Sequence, residues 1–313
     1  MFRTLKKILL GKPLASHELS HQRISKKVGL AVFSSDALSS VAYATEEILL
    51  ILVLAGSVAL NLSLPISIAI GILLLILITS YSETIQAYPS GGGAYIVSKE
   101  NLGRLPSMVA GAALLIDYVL TVSVSISSGA AAITSAFPGL EPYKISLCLV
   151  FIAFITLANL RGIKESGVIF SVPTYFFIAS FTTLLAVGFY RYLSGSFVPS
   201  PNIAYPTAQE PLAAFLVLRA FTSGCTALTG VEAISNGVPA FKAPEAKNAK
   251  ITLLWMGFIL LILFVGITEL ARLYQVFPVM LPGGEAGETV LSQIAKKVFG
   301  VNAFYYLVQA ATA

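Results

Sequence analysis

The sequence predicts an all-α integral membrane protein with an inverted internal repeat, and three observations support this fold class. Hydrophobic residues make up 56% of the 313 positions and charged residues only 11%, against about 25% charged residues in average proteins. Apolar stretches of about 20 residues, the length needed to cross a bilayer, recur along the chain. A short motif in the first stretch returns in the sixth.

The apolar stretches define the predicted transmembrane helices. We expect seven spans and the start of an eighth near residue 301, the seven being 28–58, 64–86, 106–136, 143–160, 166–193, 212–240 and 250–274. The chain ends at Ala313, about 13 residues into the eighth span. We therefore expect a fragment of a longer protein, truncated in its eighth helix.

The distribution of basic residues predicts domains and orientation. Residues 1–27 are expected to form a basic cytoplasmic segment, and residues 28–313 an incomplete transmembrane domain. With a cytoplasmic amino terminus, fourteen Lys and Arg residues lie inside and six outside, as the positive-inside rule requires. Phe2, Leu5 and Leu9 share one face of a possible surface helix, and a disordered tail is the alternative. The basic balance reflects topology, so we expect no nucleic-acid partner.

The internal repeat pairs residues 37–41 (ALSSV) with residues 227–231 (ALTGV), 190 positions later. The sixth span lies five crossings after the first, so the two copies run in opposite directions. Interrupted helices at corresponding positions of inverted halves indicate a transporter site near the bilayer midplane. The alternative is two kinked helices that pack through small residues, but such packing does not require the acids Asp36 and Glu232.

Three acidic residues lie within these apolar spans. Asp36 and Asp117 are the only aspartates of the chain, and Glu232 follows the second copy of the repeat. A charge at membrane depth costs roughly 2.5 to 3.5 kcal/mol on insertion scales, so such residues mark functional sites by default. Hydroxyl groups accompany all three, and carboxylate and hydroxyl oxygens suit a hard cation or a proton. The pattern indicates cation transport.

The third span carries a polar stripe. Asp117, Thr121 and Ser125 recur every four residues and so share one helix face, whereas Tyr118 is expected to point elsewhere. The stripe offers several oxygens to a monovalent cation and no thiolate or imidazole to a transition metal. Its alternative role is an interhelical hydrogen-bonding seam. Tyr43 is expected to add a hydroxyl to the site or to close it, and simple packing is the alternative.

Other features have less specific interpretations. Glu46 and Glu47 lie in the outer half of the first span and are expected to line an entry route. Gly91-Gly92-Gly93 predicts a tight turn or helix break, and Pro173 predicts a kink in the fifth span. Glu269 and Arg272 are three residues apart, which indicates an ordinary surface ion pair. No catalytic triad, metal-ligand cluster or nucleotide fingerprint is present, so we expect no enzymatic activity.

Four segments resemble a known family. Residues 34–43 (SSDALSSVAY), residues 88–101 (YPSGGGAYIVSKEN), the Asp117 stripe and residues 227–236 (ALTGVEAISN) are similar to KimA-type potassium–proton symporters of the amino acid–polyamine–organocation superfamily. The resemblance extends over nearly the whole chain. It implies the ten-helix inverted-repeat core called the LeuT fold, with broken first and sixth helices, usually followed by two more spans and a cytoplasmic domain.

The resemblance also implies function. Members are similar in being bacterial inner-membrane proteins that take up potassium with protons, often as homodimers. It implies ion-site roles for Asp36, Tyr43, Asp117, Thr121, Ser125, Thr229 and Glu232, with potassium itself at all of these except Asp36 and Tyr43. The chain departs from the family in its length, which leaves out the later spans. It also departs at Glu47, where a neutral residue is usual.

The leading hypothesis is therefore a secondary active potassium transporter coupled to proton symport. It needs no cofactor other than the transported ions, and its expected partners are membrane lipid, potassium, protons and a second copy of the chain. A proton-coupled amino-acid permease of the same superfamily is the alternative, although residues 33–42 contain no glycine and Asp36 would repel a substrate carboxylate. A non-transporting sensor is the second alternative. A channel would need a filter motif, and none is visible.

Overall fold

The computed structural model describes residues 23–160, 163–196, 207–278 and 287–313. These residues form α-helices and short 3₁₀ helices, with no β-strand among them beyond an isolated bridge between Ile24 and Phe241. The predicted all-α fold is confirmed. The predicted surface helix at residues 2–9, and most of the predicted segment 1–27, lie outside the described residues.

The α-helices are numbered here in chain order. They are α1 (Lys26–Ser39), α2 (Val41–Leu52), α3 (Ser63–Ala87), α4 (Gly93–Asn101), α5 (Arg104–Ala136), α6 (Lys144–Asn159), α7 (Ile163–Leu193), α8 (Ala214–Gly224), α9 (Ala233–Asn236), α10 (Glu245–Leu273), α11 (Val290–Phe299) and α12 (Ala303–Thr312). The 3₁₀ helices are Val53–Ala55, Ala59–Leu62, Pro138–Tyr143, Cys225–Leu228 and Val238–Ala240.

Six stretches among the described residues are long and apolar enough to cross a membrane, namely Lys26–Ala55, Ala59–Ala87, Arg104–Ala136, Pro138–Asn159, Gly167–Leu193 and Glu245–Leu273. They correspond to the first five predicted spans and the seventh. The sixth predicted span is interrupted: an apolar helical stretch covers Ala214–Leu228, and the chain then leaves the helix. Helix α12 begins two residues after the predicted start of the eighth span.

Two helices were not predicted from the sequence. Helix α4 follows the glycine turn at once, and its nine residues are too few for a span. Helix α11 is ten residues long, with an apolar face buried against the bundle and two lysines in its last turn. Both are too short to show a transmembrane pattern. Pro173 lies inside α7, as expected, while the predicted kink stays a prediction.

The buried core lies where α1, α2, α3, α8 and α10 pack together. Close approach of these helices depends on small residues: a methyl group at Gly257 would overlap Ile78, and one at Gly224 would overlap Ile48 and Ile70. Helices α5 and α6 instead expose many large apolar side chains, as expected of helices that face lipid. The broken sixth segment thus lies inside the bundle, next to α2 and α3.

Main-chain pairing joins the segment before the first repeat copy to the segment after the second. The amide of Ile24 donates to the carbonyl of Ala240 at 2.8 Å, and the amide of Lys242 donates to the carbonyl of Ile24 at 2.9 Å. Arg23 also forms an ion pair with Glu245. The segment before α1 and the segment after α9 therefore lie on the same side of the molecule.

Candidate ion-binding site

Asp36 lies on α1, in a part of the chain that remains helical. The neighbouring hydroxyls bond back to carbonyls one turn earlier: Ser39 donates to the carbonyl of Asp36 at 2.7 Å, and Ser40 to that of Ala37 at 2.6 Å. Ser40 separates α1 from α2, yet its φ of −62° and ψ of −25° are helical. The predicted break in the first helix is thus confined to a local change in hydrogen bonding.

The sixth segment unwinds much further. After the 3₁₀ turn Cys225–Leu228, Thr229 is extended and Gly230 has a φ of +78°, a conformation that side chains with a Cβ rarely adopt. A Cβ at Gly230 would lie 2.7 Å from Oδ2 of Asp36 and 3.0 Å from the amide nitrogen of Ala37. Gly230 is therefore the point at which the unwound backbone packs directly against α1.

Hydroxyl groups from three helical segments meet beside this point. The Ser125 hydroxyl lies 3.1 Å from the Ser39 hydroxyl and 3.4 Å from that of Tyr43. Tyr43 also interacts with Thr229, whose hydroxyl donates to the carbonyl of Thr226 at 2.8 Å. Thr121, one turn before Ser125, is buried at 5% exposure. The structure brings Tyr43, Ser125 and Thr229 together, and Thr121 lies on the same face of α5.

The three carboxylates face a common region. Glu232 is only 7% exposed, and both Asp117 and Asp36 act on it electrostatically; Asp117 also acts on Asp36. Among the described residues, however, no three His, Cys, Asp or Glu side chains are grouped closely enough to hold a metal ion. An alkali ion here would therefore take most of its ligands from hydroxyl and carbonyl oxygens, with a carboxylate supplying charge.

The expectation that Tyr118 points away from the site was wrong. Its hydroxyl accepts a hydrogen bond from Nδ2 of Asn236 at 2.6 Å and interacts with the Glu232 carboxylate. Helix α5 contacts α1 and α2 through Ser125, and it contacts the turn after Gly230 through Tyr118. The site residues of α5 therefore occupy more than one narrow stripe of the helix. Asn236 was also missed, although its position four residues after Glu232 places both on one helical face.

Two predicted features lie outside this cluster. An oxygen of Glu46 accepts a hydrogen bond from the amide of Val290 at 3.2 Å, at the start of α11; its role in an entry route stays a prediction. Arg272 donates two hydrogen bonds to the Glu269 carboxylate, one of them 2.7 Å long. The predicted surface ion pair is confirmed.

Comparison with known proteins places this architecture in a family. A family model described as "amino acid permease" matches residues 29–313, nearly the whole chain. The chain belongs to the amino acid permease family. It is therefore a multi-pass membrane protein of a transporter family.

This permease-family chain is similar to two kinds of curated transporter. It is 49% identical over all 313 residues to the potassium transporter KimA of Bacillus subtilis (strain 168), of which it covers 51%. It is 22% identical over 157 residues to the low-affinity putrescine importer PlaP of Escherichia coli (strain K12), covering 34% of that protein. The chain thus spans about half the length of the potassium transporter.

Proposed function

We propose that the intact protein takes up potassium ions together with protons across the bacterial inner membrane. The observation that carries the proposal is that Asp36, Asp117 and Glu232 act on one another electrostatically beside a cluster of hydroxyl groups. This geometry occurs in a chain 49% identical to a potassium transporter. Three carboxylates in apolar surroundings repel one another, and a bound cation or a bound proton relieves the repulsion.

The proposed potassium ligands are Asp117, Thr121, Ser125, Thr229 and Glu232. Asp36 and Tyr43 complete the site from α1 and α2, Asp36 as a further charge and Tyr43 as a hydroxyl that closes it. Because protons and potassium compete for the same carboxylates, their binding is linked. Each positive charge that moves inward gains roughly 2.3 kcal/mol per 100 mV of membrane potential.

The orientation and assembly are part of the proposal. We place the amino terminus in the cytoplasm because fourteen of the twenty basic residues then lie inside. Homodimerisation is a further prediction, since α5 and α6 expose apolar side chains that lipid or a second chain would cover. The transported ions are the only small molecules the mechanism requires.

Import of an organic substrate is the second candidate. The matching family model is that of amino acid permeases, and one relative imports putrescine. An acidic site suits the ammonium groups of a diamine, whereas it repels the carboxylate of an amino acid. A non-transporting sensor built on the same core is a third candidate, which measured uptake would exclude.

Rubidium uptake into proteoliposomes by the intact protein tests the proposal. We expect saturable uptake that depends on pH in the wild type, and none in Asp117→Asn or Glu232→Gln, because each change removes charge from the proposed site. Glu83→Gln is the matched control, since Glu83 is an exposed carboxylate near the end of α3. Uptake by both site variants at wild-type rates would refute the proposal.

Competition separates potassium transport from organic-substrate import. Unlabelled potassium should suppress rubidium uptake fully, and putrescine or amino acids should leave it unchanged. Labelled putrescine taken up by the wild type, and lost in Asp117→Asn, would favour the second candidate.

A further inference from the structure

Three buried oxygens on the turn after Gly230 have no hydrogen-bond partner among the described residues. They are Oε1 of Glu232, the hydroxyl of Ser235 and Oδ1 of Asn236. The amide of Asn236 bonds to the carbonyl of Glu232 at 3.0 Å, so the turn is helical. Residues three and four positions apart lie on the same face of a helix. The three oxygens therefore share one face.

The side chain of Asn236 is held in a defined orientation. Its Nδ2 donates to the Tyr118 hydroxyl at 2.6 Å, which turns Oδ1 the other way, towards Gly93. A Cβ at Gly93 would lie 2.0 Å from Oδ1 of Asn236 and 3.7 Å from the hydroxyl of Ser235. The two oxygens thus approach the same small space, which exists because residue 93 has no side chain.

A cavity adjoins the other side of the glycine turn. It has a volume of about 470 Å³ and is lined by Arg23, Pro89, Ser90, Pro239, Pro244, Glu245 and Ala246. A Cβ at Gly91 would lie 2.7 Å from Pro239 and 2.7 Å from the carbonyl oxygen of Asn236, and the Gly92 amide donates to that carbonyl at 3.2 Å. The turn that carries the three oxygens therefore contacts the glycine segment that borders this cavity.

Leaving a buried acceptor unpaired costs about 1 to 3 kcal/mol, so three on one turn need a physical explanation. Carboxylate, hydroxyl and amide oxygens are the ligands that hard cations prefer. The charged side chains that act electrostatically on Glu232 are the carboxylates of Asp117 and Asp36, both of which favour a cation. The chemistry fits a partly dehydrated monovalent cation and disfavours an anion.

We propose that Glu232, Ser235 and Asn236 form a second binding site for a monovalent cation, on the route between the central site and the cavity beside Arg23 and Glu245. This inference rests on the proposed function and adds a second ion-binding site to the proposed transport pathway. An ion leaving Asp117 keeps contact with Glu232 while it gains the oxygens of Ser235 and Asn236. The glycine turn then separates it from the cavity.

Rubidium binding to the purified intact protein tests the second site. We expect two rubidium ions per chain in the wild type and one in Ser235→Ala. Ser63→Ala is the matched control, because Ser63 is also a fully buried serine whose hydroxyl has no partner among the described residues, at the start of α3. Removing either hydroxyl should leave the melting temperature unchanged or raised, since an unpaired buried polar group is lost.

The outcomes separate this inference from the proposed function. Two ions in Ser63→Ala and one in Ser235→Ala would support the second site. One ion per chain in all three proteins, with binding lost in Asp117→Asn, would overturn the second site while leaving potassium transport in place. Binding of no rubidium by the wild type would overturn both proposals. Equal loss in Ser63→Ala and Ser235→Ala would overturn the second site by indicating a general packing effect.

Discussion

The two copies of the repeat carry similar residues but have different backbones. In the first copy Ser40 keeps helical dihedral angles, and α1 and α2 form one membrane-length stretch, Lys26–Ala55. In the second copy the helix ends at Gly224, and the chain passes through a 3₁₀ turn, an extended residue and a glycine with a φ of +78°. Only the sixth segment is broken in the full sense.

The chemistry of the side chains explains the difference. Hydroxyls of both copies donate to carbonyls three residues earlier, Ser39 and Ser40 in the first copy and Thr229 in the second, so this bonding does not by itself unwind a helix. The second copy has Gly230 where the first has Ser40, and glycine adopts positive φ without a steric penalty. Hydroxyl-rich sequence at membrane depth is therefore not enough to predict a broken helix, whereas a glycine at the equivalent position is more informative.

Asp36 and Glu232 lie in segments that differ in how easily they can open. Asp36 lies on a long helix, while Glu232 caps a four-residue helix that follows the positive-φ residue Gly230 and precedes a 3₁₀ helix. Opening of a short segment with few helical hydrogen bonds requires less free energy than opening a long packed helix. We expect the sixth segment to move when ion access changes, and α1 to act as the fixed wall.

Among substitutions in the two copies, Gly230→Ala should reduce transport most. The new methyl group would meet both Asp36 and Ala37, so we expect no measurable rubidium uptake in proteoliposomes. Gly300→Ala is the matched control, because Gly300 has a φ of +75° and a methyl group added there would have no atom within 4 Å among its described neighbours. The control should lose only the backbone term of about 1–3 kcal/mol in stability and keep its uptake. Equal uptake by the two variants would contradict the proposed contact with α1.

Hydrogen exchange should show the next largest difference. We expect backbone amides of residues 229–237 to exchange about a hundredfold faster than those of residues 34–44, because the short helix α9 opens locally. Mass spectrometry of the detergent-solubilised intact protein measures both segments in one sample. Equal exchange rates would show that the two halves are equally rigid.

A smaller effect is expected from Tyr118→Phe, which tests the link between α5 and the unwound segment. The change removes the hydroxyl between Asn236 and the Glu232 carboxylate. A hydrogen bond to a charged group contributes about 1.5–3 kcal/mol, so we expect rubidium uptake to fall about tenfold. Tyr190→Phe, at an exposed position near the end of α7, is the control and should behave as the wild type. Unchanged uptake in Tyr118→Phe would remove Tyr118 from the site.

The smallest effect is expected from Ser40→Ala in the first copy. Ser40 donates to the carbonyl of Ala37 at 2.6 Å, and its second contact, to the carbonyl of Ala227, is long at 3.4 Å. Its loss should therefore lower stability by about 1 kcal/mol and change uptake less than about twofold. Ser123→Ala removes a similar bond from an exposed position on α5 and is the control. Loss of uptake in Ser40→Ala alone would mean that the first break matters as much as the second.

Sequence alone predicted the spans, the opposite direction of the two repeat copies and the three acids within apolar stretches. Each follows from a local property: the length of an apolar stretch against bilayer thickness, the number of crossings between two motifs, and the cost of charge in lipid. Chain length and hydropathy therefore predicted six of the membrane-crossing stretches and the interruption of the sixth segment.

The folded structure was needed to show which residues lie together at the site. Ser125 meets Ser39 across 86 residues of sequence, and Asn236 meets Tyr118 across 118. Such contacts depend on how the helices are rotated and how closely they approach one another. Gly93 and Gly230 permit the close approach, and the periodicity of the sequence does not predict it. The helical backbone at Ser40 was likewise visible only in the folded structure. There the hydroxyls of Ser39 and Ser40, which the sequence suggests are free to bind an ion, donate hydrogen bonds to carbonyls of their own helix.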